Sequence, residues 1–587
     1  MLLSENRLPL ISIFLSPADM QDRGSSARFA AQELRYYLGR ITAVSFPIEE
    51  YCADGVGICI GACAPISAEG LGDDGFTIRS VGNQLAIAGG SRGIIYGVYE
   101  LLEMLGCRFF TRDCEKIPTI PHLVLADDYD ITKMPAFEYR EHDYVDLTAS
   151  PRFAVKCRMN GARNKIPQKM GGHMPYAWYV HTFERMIPTA IYGETHPEYY
   201  AEVDGVRVVR NKGRTQLCLT NPDVLNICVD AARKALHDHP EARIISISQN
   251  DWHREYCHCQ NCARIDEEEG SPSGTLLRFV NRIAEILEPE FPDVIFDTLA
   301  YTYTRSAPKI TRNRHNVCVR LCSIESCFCH PFTAGHDARP TSQTDSSRSF
   351  IHDLQDWHLV CDRIYIWDYV TCFAHYATPH PNWRVLQPNM QTLHENNVCG
   401  VYEQGNRAVR GGVDFNELRT YLIAKLLWDP KCDLEKHRKE FLDHYYGAAA
   451  PMLDAYLNLL CDTAEANDHV GFNDAPTHTF LSEEMLDQYD ALFAEAIQAV
   501  QGDPLRLWRV EKNRLSIRYI RLKRATMIHG EYDPETINQF FADWRAFGLG
   551  RLDEWANLET SHRAMLDGHW RGIAYFEHWT GEEPEIL

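Results

Sequence analysis

The sequence lacks an excess of positive charge and lacks any long apolar run. Lysine and arginine number 59 against 81 aspartates and glutamates, so the 587 residues carry a formal net charge of −22. A nucleic-acid partner needs a basic surface, and the charge therefore argues against one. No stretch approaches the roughly 20 apolar residues of a membrane span, so we expect no membrane partner either.

We expect neither a secretory leader nor a disulfide framework. The opening run MLLSENRLPLISIFLSP has no positive n-region, and Glu5, Asn6 and Arg7 interrupt its apolar character. Twenty cysteines in so long a chain are too few for a disulfide scaffold. We therefore expect reduced thiols in a cytoplasmic protein. The sequence does contain many aromatic residues, namely 25 Phe, 28 Tyr and 11 Trp. These can build large cores, which excludes disorder as the main state.

The first 128 residues read as a small α/β domain. Apolar runs at 8–15, 55–61, 75–81 and 84–90 predict strands, and apolar residues at helical spacing predict helices at 26–38 and 94–106. The glycine-rich turn at 89–93 precedes the second helix. It lacks the Lys-Ser/Thr ending of a phosphate loop, so close packing of helix on sheet is the favoured interpretation.

Alternating strands and helices predict a (β/α)8 barrel over residues 129–413. Eight short strand candidates lie at 137–144, 162–166, 216–220, 244–248, 294–301, 317–322, 363–368 and 398–403. Helical periodicity continues from residue 414 to the end, which predicts an all-helical C-terminal domain over 414–587. Its tryptophans either bury internally or form a homodimer contact: Trp508, Trp544, Trp555, Trp570 and Trp579.

Acidic residues follow four of the predicted barrel strands, and in such barrels functional side chains emerge at the carboxyl ends of the strands. They are Asp251, Glu325, Asp368 and Glu403. Aromatic and basic residues lie near the same rim, which is typical of carbohydrate sites because rings stack on sugar faces. Two carboxyl groups can cleave a glycosidic bond, one donating a proton and the other supporting the oxocarbenium centre. No cofactor is required for that chemistry. Taken singly, each acid could instead be a salt bridge or a helix cap.

The run CHCQNC contains the sharpest local pattern, with Cys257, Cys259 and Cys262 spaced like half of a zinc site. The missing ligands could come from the stretch after the sixth strand, which supplies Cys322, Cys327, Cys329 and His330. A structural metal and a loop of free thiols both remain possible interpretations, and we commit to no metal.

Several motifs resemble the bacterial domain-of-unknown-function family 4838, which is similar to the endo-β-N-acetylglucosaminidases of glycoside hydrolase family 163. They are HPEYYAEVDG, QLCLTNP, ISQNDW, LAYTYT, IESCFCHP, VYEQG and YLIAKLLWDP. The run RGIIYGVYELLEMLGCRFF resembles the small domain that precedes the barrel in family 20 and family 67 glycoside hydrolases. The resemblance implies a sugar-cleaving barrel.

The resemblance also implies roles for particular residues. The acidic pair of family 20 enzymes corresponds here to Asn250 and Asp251, and an Asn cannot supply the charge that assists an acetamido nucleophile. Arg140 resembles the arginine that grips sugar hydroxyls in those enzymes. We assign Asp251 as general acid/base, with Glu325 as the second carboxylate and Glu403 as the next choice. The expected sugar-binding residues are Arg140, His181, Asn250, Trp252, Tyr301, Asp368 and Trp383.

The sequence therefore predicts a glycoside hydrolase that acts by two carboxylates on an oligosaccharide, one that contains an N-acetylhexosamine. The alternative is a carbohydrate-binding protein on the same barrel with no catalytic activity. A third interpretation is a zinc-dependent hydrolase built on the cysteine run.

Overall fold

The computed structural model describes residues 1–210, 213–252, 255–335, 337–338, 348–407, 411–531 and 533–568. Along the chain it shows a mixed sheet, a parallel sheet and a series of helices. Trp570 and Trp579 lie outside the described residues. The expected domain boundaries at 128/129 and 413/414 stay predictions.

The N-terminal region is built around a six-stranded mixed sheet with strand order β10-β6-β7-β5-β3-β4. A Cβ added at Gly93 would lie 1.9 Å from the Gly75 carbonyl oxygen, so the glycine-rich turn is pressed against its neighbour. That contact fits the packing interpretation of this turn. The strands are β1 (Ser4–Glu5), β2 (Leu8–Pro9), β3 (Ser12–Leu15), β4 (Ile48–Glu50), β5 (Gly57–Ile60), β6 (Phe76–Val81), β7 (Gln84–Gly89), β8 (Arg108–Thr111), β9 (Cys114–Lys116) and β10 (Asp130–Lys133), and the helices are α1 (Pro17–Gln21), α2 (Ser26–Thr42) and α3 (Gly93–Met104).

The central region contains a parallel six-stranded sheet with strand order β11-β18-β17-β16-β15-β14. α-Helices connect most successive strands, whereas the connection from β15 to β16 contains only a short 3-10 turn, Thr302–Thr304. The strands are β11 (Tyr139–His142), β12 (Glu202–Val203), β13 (Val206–Arg207), β14 (Ile244–Ser246), β15 (Ile295–Ala300), β16 (Val317–Cys322), β17 (Ile364–Tyr369) and β18 (Val398–Gln404). The helices are α4 (Val145–Thr148), α5 (Pro151–Lys156), α6 (Phe183–Met186), α7 (Thr189–Tyr192), α8 (Pro222–Asp238), α9 (Gln260–Glu269), α10 (Ser273–Leu287), α11 (Phe350–Val360) and α12 (Leu386–Glu395).

Two of the eight predicted barrel strands are wrong. Residues 162–164 form a short 3-10 helix, and Leu217 makes only an isolated antiparallel bridge with Tyr200. The prediction failed because segments of about five residues carry too little pattern to separate a strand from irregular chain. Beyond β14, Tyr176 forms a parallel bridge with Ile244. Among the described residues the parallel sheet therefore has six strands, with one isolated bridge beyond its β14 edge.

The strands of this sheet present two different faces, because successive side chains alternate. On one face the Arg320 guanidinium lies 5.3 Å from the ring centroid of Tyr139 and 5.4 Å from that of Tyr365. Arg320 also lies over Tyr176, beyond the far edge of the sheet. We call this side the inner face. The opposite, outer face is packed under helices.

The described C-terminal region is helical. Its first helix packs against β11, and Trp428 at its end stacks on Phe76 of the N-terminal sheet at 6.1 Å between ring centroids. None of the helices that the structure describes combines the length and apolarity needed to traverse a bilayer. The helices are α13 (Asn416–Trp428), α14 (Leu434–Tyr446), α15 (Ala450–Asn467), α16 (Glu483–Ala499), α17 (Pro504–Ile528), α18 (Pro534–Ala546) and α19 (Leu558–Leu566).

Candidate active site

Two carboxylates predicted from the sequence, Asp251 and Glu325, raise the pKa values of the same tyrosines. These tyrosines lie at the carboxyl ends of strands, on the inner face. Burial, followed by the charges of Asp251 and Glu325, raises the pKa of Tyr301 well above its usual range. Burial, followed by nearby groups that include the same two carboxylates, also raises the pKa of Tyr369, which ends β17. We call Asp251, Tyr301, Glu325 and Tyr369 the inner acid cluster. The structure thus brings together two acids that lie 74 positions apart in the sequence.

Glu325 is a buried acid whose proton is held near neutral pH. Burial raises the pKa of Glu325 to about 7, although the nearby Arg305 guanidinium opposes the shift. Arg305 lies 3.1 Å from Glu325, 2.8 Å from Asp337 and 2.6 Å from Asp353. One cation thus faces three carboxyl groups, so a proton on Glu325 relieves repulsion within the group. A carboxyl in this state can donate a proton at neutral pH.

Asp251 differs from Glu325 because it is exposed to solvent. Two of the expected sugar-binding residues are its neighbours: Trp252 follows it on the chain, and Tyr301 is the residue whose pKa it helps to raise. The His181 ring centroid lies 6.4 Å from that of Tyr301, and the His181 Nδ1 atom lies 2.9 Å from the Gln249 carbonyl oxygen. The partly exposed Trp252 donates its indole N–H to Glu255 at 3.1 Å. His181, Trp252 and Tyr301 therefore remain proposed sugar-binding residues.

The structure places Asp368 and Glu403 on the outer face, away from the inner acid cluster. They are register partners on β17 and β18, and Glu403 is also the partner of His142. The His142 ring lies against the Thr420 carbonyl of α13, at 3.2 Å, which fixes this row on the outer side. Both acids are buried. The expectation that Glu403 is catalytic and that Asp368 binds sugar therefore does not fit, because alternation points both side chains outward.

These two outer acids form a coupled pair. Burial raises the pKa of Asp368 to about 6. Burial and the adjacent Asp368 carboxylate raise the pKa of Glu403 well above its usual range. The Ser323 hydroxyl donates to Asp368. If both carboxyl groups were ionised, two negative charges would repel each other in a buried site, so one of the two keeps its proton.

Arg140 also lies on the outer face and does not reach the rim. Its guanidinium is fully buried and donates to Asp74 at 2.7 Å, to the Phe137 carbonyl at 2.7 Å and to the Arg158 carbonyl at 2.8 Å. It lies 5.4 Å from the Trp428 ring centroid. The expected sugar contact is replaced by a structural one, in which Arg140 joins the parallel sheet to the N-terminal region.

The side chains of Asn250 and Trp383 also contact other parts of the protein instead of the rim. The Asn250 side chain accepts from the Glu184 N–H at 2.9 Å and donates to the Thr215 carbonyl at 2.7 Å. The Trp383 ring is buried and stacks on the Arg419 guanidinium at 4.2 Å. Neither side chain is placed to bind sugar. Asn250 instead fixes the backbone next to Asp251.

A second polar group on the inner side was missed from the sequence. Asp143, two residues beyond Glu141 on the same face, accepts from the Tyr402 hydroxyl at 2.6 Å and from Arg407 at 2.9 Å. Glu554, from the C-terminal region, lies 3.7 Å from Arg407. Burial and the Asp143 charge raise the pKa of Glu554 to about 8. Alternation along β11 could have identified Asp143, but no local signal in the sequence points to Glu554.

The cysteines that lie close together are not the set that the sequence predicted. The Sγ atoms of Cys257, Cys259 and Cys262 lie within 4.8 Å of one another and of a fourth thiol, Cys218. Cys322 instead lies beside the inner acid cluster, where burial and the Glu325 charge raise its pKa. The remaining candidates form a separate group with His469: Cys327, Cys329 and His330. The fourth member is therefore Cys218, which the sequence reasoning did not name.

A cavity of about 390 Å³ lies away from these sites, where the N-terminal region meets α5. Its cations are already neutralised. Arg40 lies 2.9 Å from Glu115, Lys156 also contacts Glu115, and Arg152 lies 2.6 Å from Glu33. We therefore assign no role to this cavity.

Comparison with known proteins identifies the family and the fold. The sequence model of DUF4838, described as a domain of unknown function, matches residues 109–458. Among curated proteins, none matches this sequence significantly. The fold is similar to that of BtGH115A, a family GH115 4-O-methyl-α-glucuronidase with specificity for decorated arabinogalactans. The two are 13% identical over 98% of this chain and 78% of that chain, with a TM-score of 0.57.

Two further glycoside hydrolases have similar structures. One is a GH89 enzyme from Clostridium perfringens in complex with its substrate GlcNAc-α-1,4-galactose, at 10% identity, 93% of this chain, 70% of that chain and a TM-score of 0.50. The other is a β-hexosaminidase from Streptomyces plicatus in complex with GlcNAc, at 13% identity, 76% of this chain, 92% of that chain and a TM-score of 0.41. At such identities the similarities concern the fold.

Proposed function

This chain belongs to the DUF4838 family, and from the geometry of its inner acid cluster we propose that it is a glycoside hydrolase. The observation that carries the proposal is the convergence of Asp251 and Glu325 beside Tyr301. One acid is buried and holds a proton near neutral pH, and the other is exposed. Glycosidases need such a pair, because one carboxyl must donate a proton while the other stays charged.

Glu325 is the general acid in this proposal, and Asp251 is the second carboxylate. This assignment reverses the order favoured by the sequence, because burial favours the protonated form of Glu325. The Glu325 proton passes to the glycosidic oxygen as the bond to the anomeric carbon breaks. Asp251 either attacks that carbon as the bond breaks, forming a glycosyl ester that water then hydrolyses, or stabilises the positive charge while water attacks the carbon directly. In both routes water supplies the new hydroxyl group and its remaining proton returns to Glu325.

The proposed substrate is an oligosaccharide that contains an N-acetylhexosamine. The fold similarity to an enzyme whose bound substrate contains GlcNAc supports this class. Partly exposed rings around the acids suit the apolar face of a sugar, and the His181 imidazole can bond to hydroxyl groups. The Asn250 amide is committed to backbone partners, so acetamido assistance from that side chain is not part of the mechanism.

A zinc-dependent hydrolase has no support in the arrangement of the cysteines. Catalytic zinc keeps an open coordination position, whereas four converging thiols would close the site. A carbohydrate-binding protein without catalytic activity would need only the rings. The hydrolase proposal is favoured because a buried acid with a raised pKa and an exposed carboxylate both lie beside partly exposed rings on the inner face.

The experiment is to incubate the protein with a panel of aryl glycosides and N-glycan fragments and to identify products by mass spectrometry. We expect release of a product from at least one substrate that contains an N-acetylhexosamine. Binding of such an oligosaccharide without any cleavage over the whole panel would favour the non-catalytic alternative and remove the hydrolase proposal.

A further inference from the structure

Four buried thiols meet in a small cluster that is separate from the main hydrophobic core. The cluster contains only Ala201 and the four cysteines, and each thiol is at most 8% exposed. Cys218 follows the bridge between Leu217 and Tyr200, and the other three lie in the loop before α9 and in its first turn. The neighbouring Tyr200 and Leu217 belong to the main hydrophobic core, whereas the cluster itself contributes little apolar surface.

The distances between the thiols suit a metal ion and do not suit disulfides. The Sγ atoms of Cys218 and Cys259 lie 3.7 Å apart. A tetrahedral ion with metal–sulfur bonds of about 2.3 Å would separate its sulfur ligands by about 3.8 Å, whereas a disulfide bond measures about 2.05 Å. All four cysteines are free thiols, and the four Sγ atoms lie within 4.8 Å of one another.

Donors around the cluster are oriented toward sulfur. The Glu202 backbone N–H donates to Cys257 Sγ at 3.4 Å, and Arg207 donates to the same atom at 3.8 Å. The Thr220 hydroxyl lies 3.2 Å from Cys262 Sγ. Such contacts stabilise negative charge on sulfur and are typical of the surroundings of metal-bound thiolates.

We propose that Cys218, Cys257, Cys259 and Cys262 bind one Zn²⁺ ion in a closed structural site. Four thiol ligands close enough to share one ion suit zinc and do not suit hard cations, which prefer oxygen ligands. The ion would join the β12–β13 hairpin, the segment around Cys218 and the start of α9. Because the ligands are themselves the centre of this small cluster, zinc would supply the stability that apolar burial does not.

The site also reaches the loop that carries Asp251. Asp251 lies six residues before Cys257, and Tyr256 stacks on Tyr303 with ring centroids 4.5 Å apart. Tyr303 follows Tyr301 of the inner acid cluster by two residues. Zinc would therefore hold this loop in place without contacting substrate, so its loss should increase the mobility of the loop as well as lower thermal stability.

The test is elemental analysis of the purified full chain, with Cys259→Ala compared with Cys228→Ala as the matched control. Cys228 is a buried cysteine of α8 outside the cluster. We expect wild type and C228A to retain the same zinc content, and C259A to contain about one zinc ion fewer per chain. Equal zinc content in C259A and C228A would overturn the proposal, as would iron in place of zinc.

A second measurement keeps the test valid if C259A does not fold. A mercurial reagent that modifies thiols is added to the wild-type protein, and released zinc is measured with a chromophoric chelator. Release of about one ion from the four-thiol site is expected, with faster proteolysis of the 250–260 segment afterwards. A wild-type protein that contains no zinc after growth and reconstitution in zinc, or that contains a disulfide among these four residues, would contradict the proposal.

Discussion

Two pairs of acids at the ends of neighbouring parallel strands have opposite surroundings. Asp251 and Glu325 belong to the inner acid cluster, where one is exposed and the other has a pKa raised to about 7. Asp368 and Glu403 form a sealed pair on the outer face, next to His142. Asp368 and Glu403 lie in the last residues of their strands and the other two acids follow theirs, so all four satisfy the same sequence rule. Raised pKa values therefore do not identify catalytic acids by themselves, and the face of the sheet must be known as well.

The largest expected effect comes from Glu325→Gln. This substitution removes the proposed proton donor while it keeps the size of the side chain, so we expect turnover to fall by about 10²–10⁴-fold. A substrate with a leaving group of low pKa should recover part of the rate, because such a group needs little protonation. The measurement is kcat/KM for matched aryl glycosides. Equal losses for good and poor leaving groups would exclude Glu325 as the general acid.

Arg140→Met tests an outer-face residue that the sequence placed in the site. The variant removes one of the two guanidinium partners of Asp74, which keeps its contact with Arg92 at 2.8 Å, and it leaves two backbone carbonyls without their side-chain donor, so we expect a loss of about 1–3 kcal/mol in the free energy of unfolding. Turnover per folded molecule should stay near that of wild type. Denaturant unfolding and active-site-normalised kinetics measure the two quantities. A large rise in KM at unchanged stability would restore the sugar-binding role.

The pH dependence of turnover sharpens the assignment of the acid. Because the pKa of Glu325 is about 7, the protonated fraction falls as pH rises through that value. We expect kcat/KM to decline about tenfold per pH unit on the alkaline side. Replacing Arg305 by Met should move this limb to higher pH, since the guanidinium favours ionised Glu325. A limb that does not move would show that another group controls it.

The smallest effect is expected from Glu403→Gln. The outer pair has raised pKa values in the folded state, so its protonated form contributes stability at low pH, and that contribution is lost as pH rises from about 4 to above 6. We expect the variant to show a flatter dependence of unfolding free energy on pH over this window, with turnover retained. The slope in wild type should not exceed about 1.4 kcal/mol per pH unit for one proton.

The sequence predicted the parallel strands better than it predicted the site. Strands β14–β18 are marked by apolar runs, most of them separated by helices of clear periodicity, and all five lie where expected. The runs at 162–166 and 216–220 look similar but carry irregular chain, because tertiary contacts decide such short segments. The rule that functional acids lie at the ends of strands selected Asp251 and Glu325, whose charges both act on Tyr301, and it also selected Asp368 and Glu403, whose direction depends on strand register.

Long-range partners account for the remaining errors. Cys218 lies 39 residues before Cys257, and nothing in its local sequence marks it as a ligand. Glu554 comes from the helical region, more than 400 residues after Asp143, and only the packed structure brings the two together. Arg140 was placed by resemblance to other enzymes, and the partner that occupies it, Asp74, belongs to the N-terminal region.

The most direct test of the central claim is a crystal structure of the Glu325→Gln variant with an oligosaccharide that wild type cleaves. We predict sugar between the side chains at positions 251 and 325, on the inner face, with a ring stacked near Tyr301 or Trp252. Sugar bound against Asp368, Glu403 or Arg140, with the inner acid cluster empty, would contradict the account.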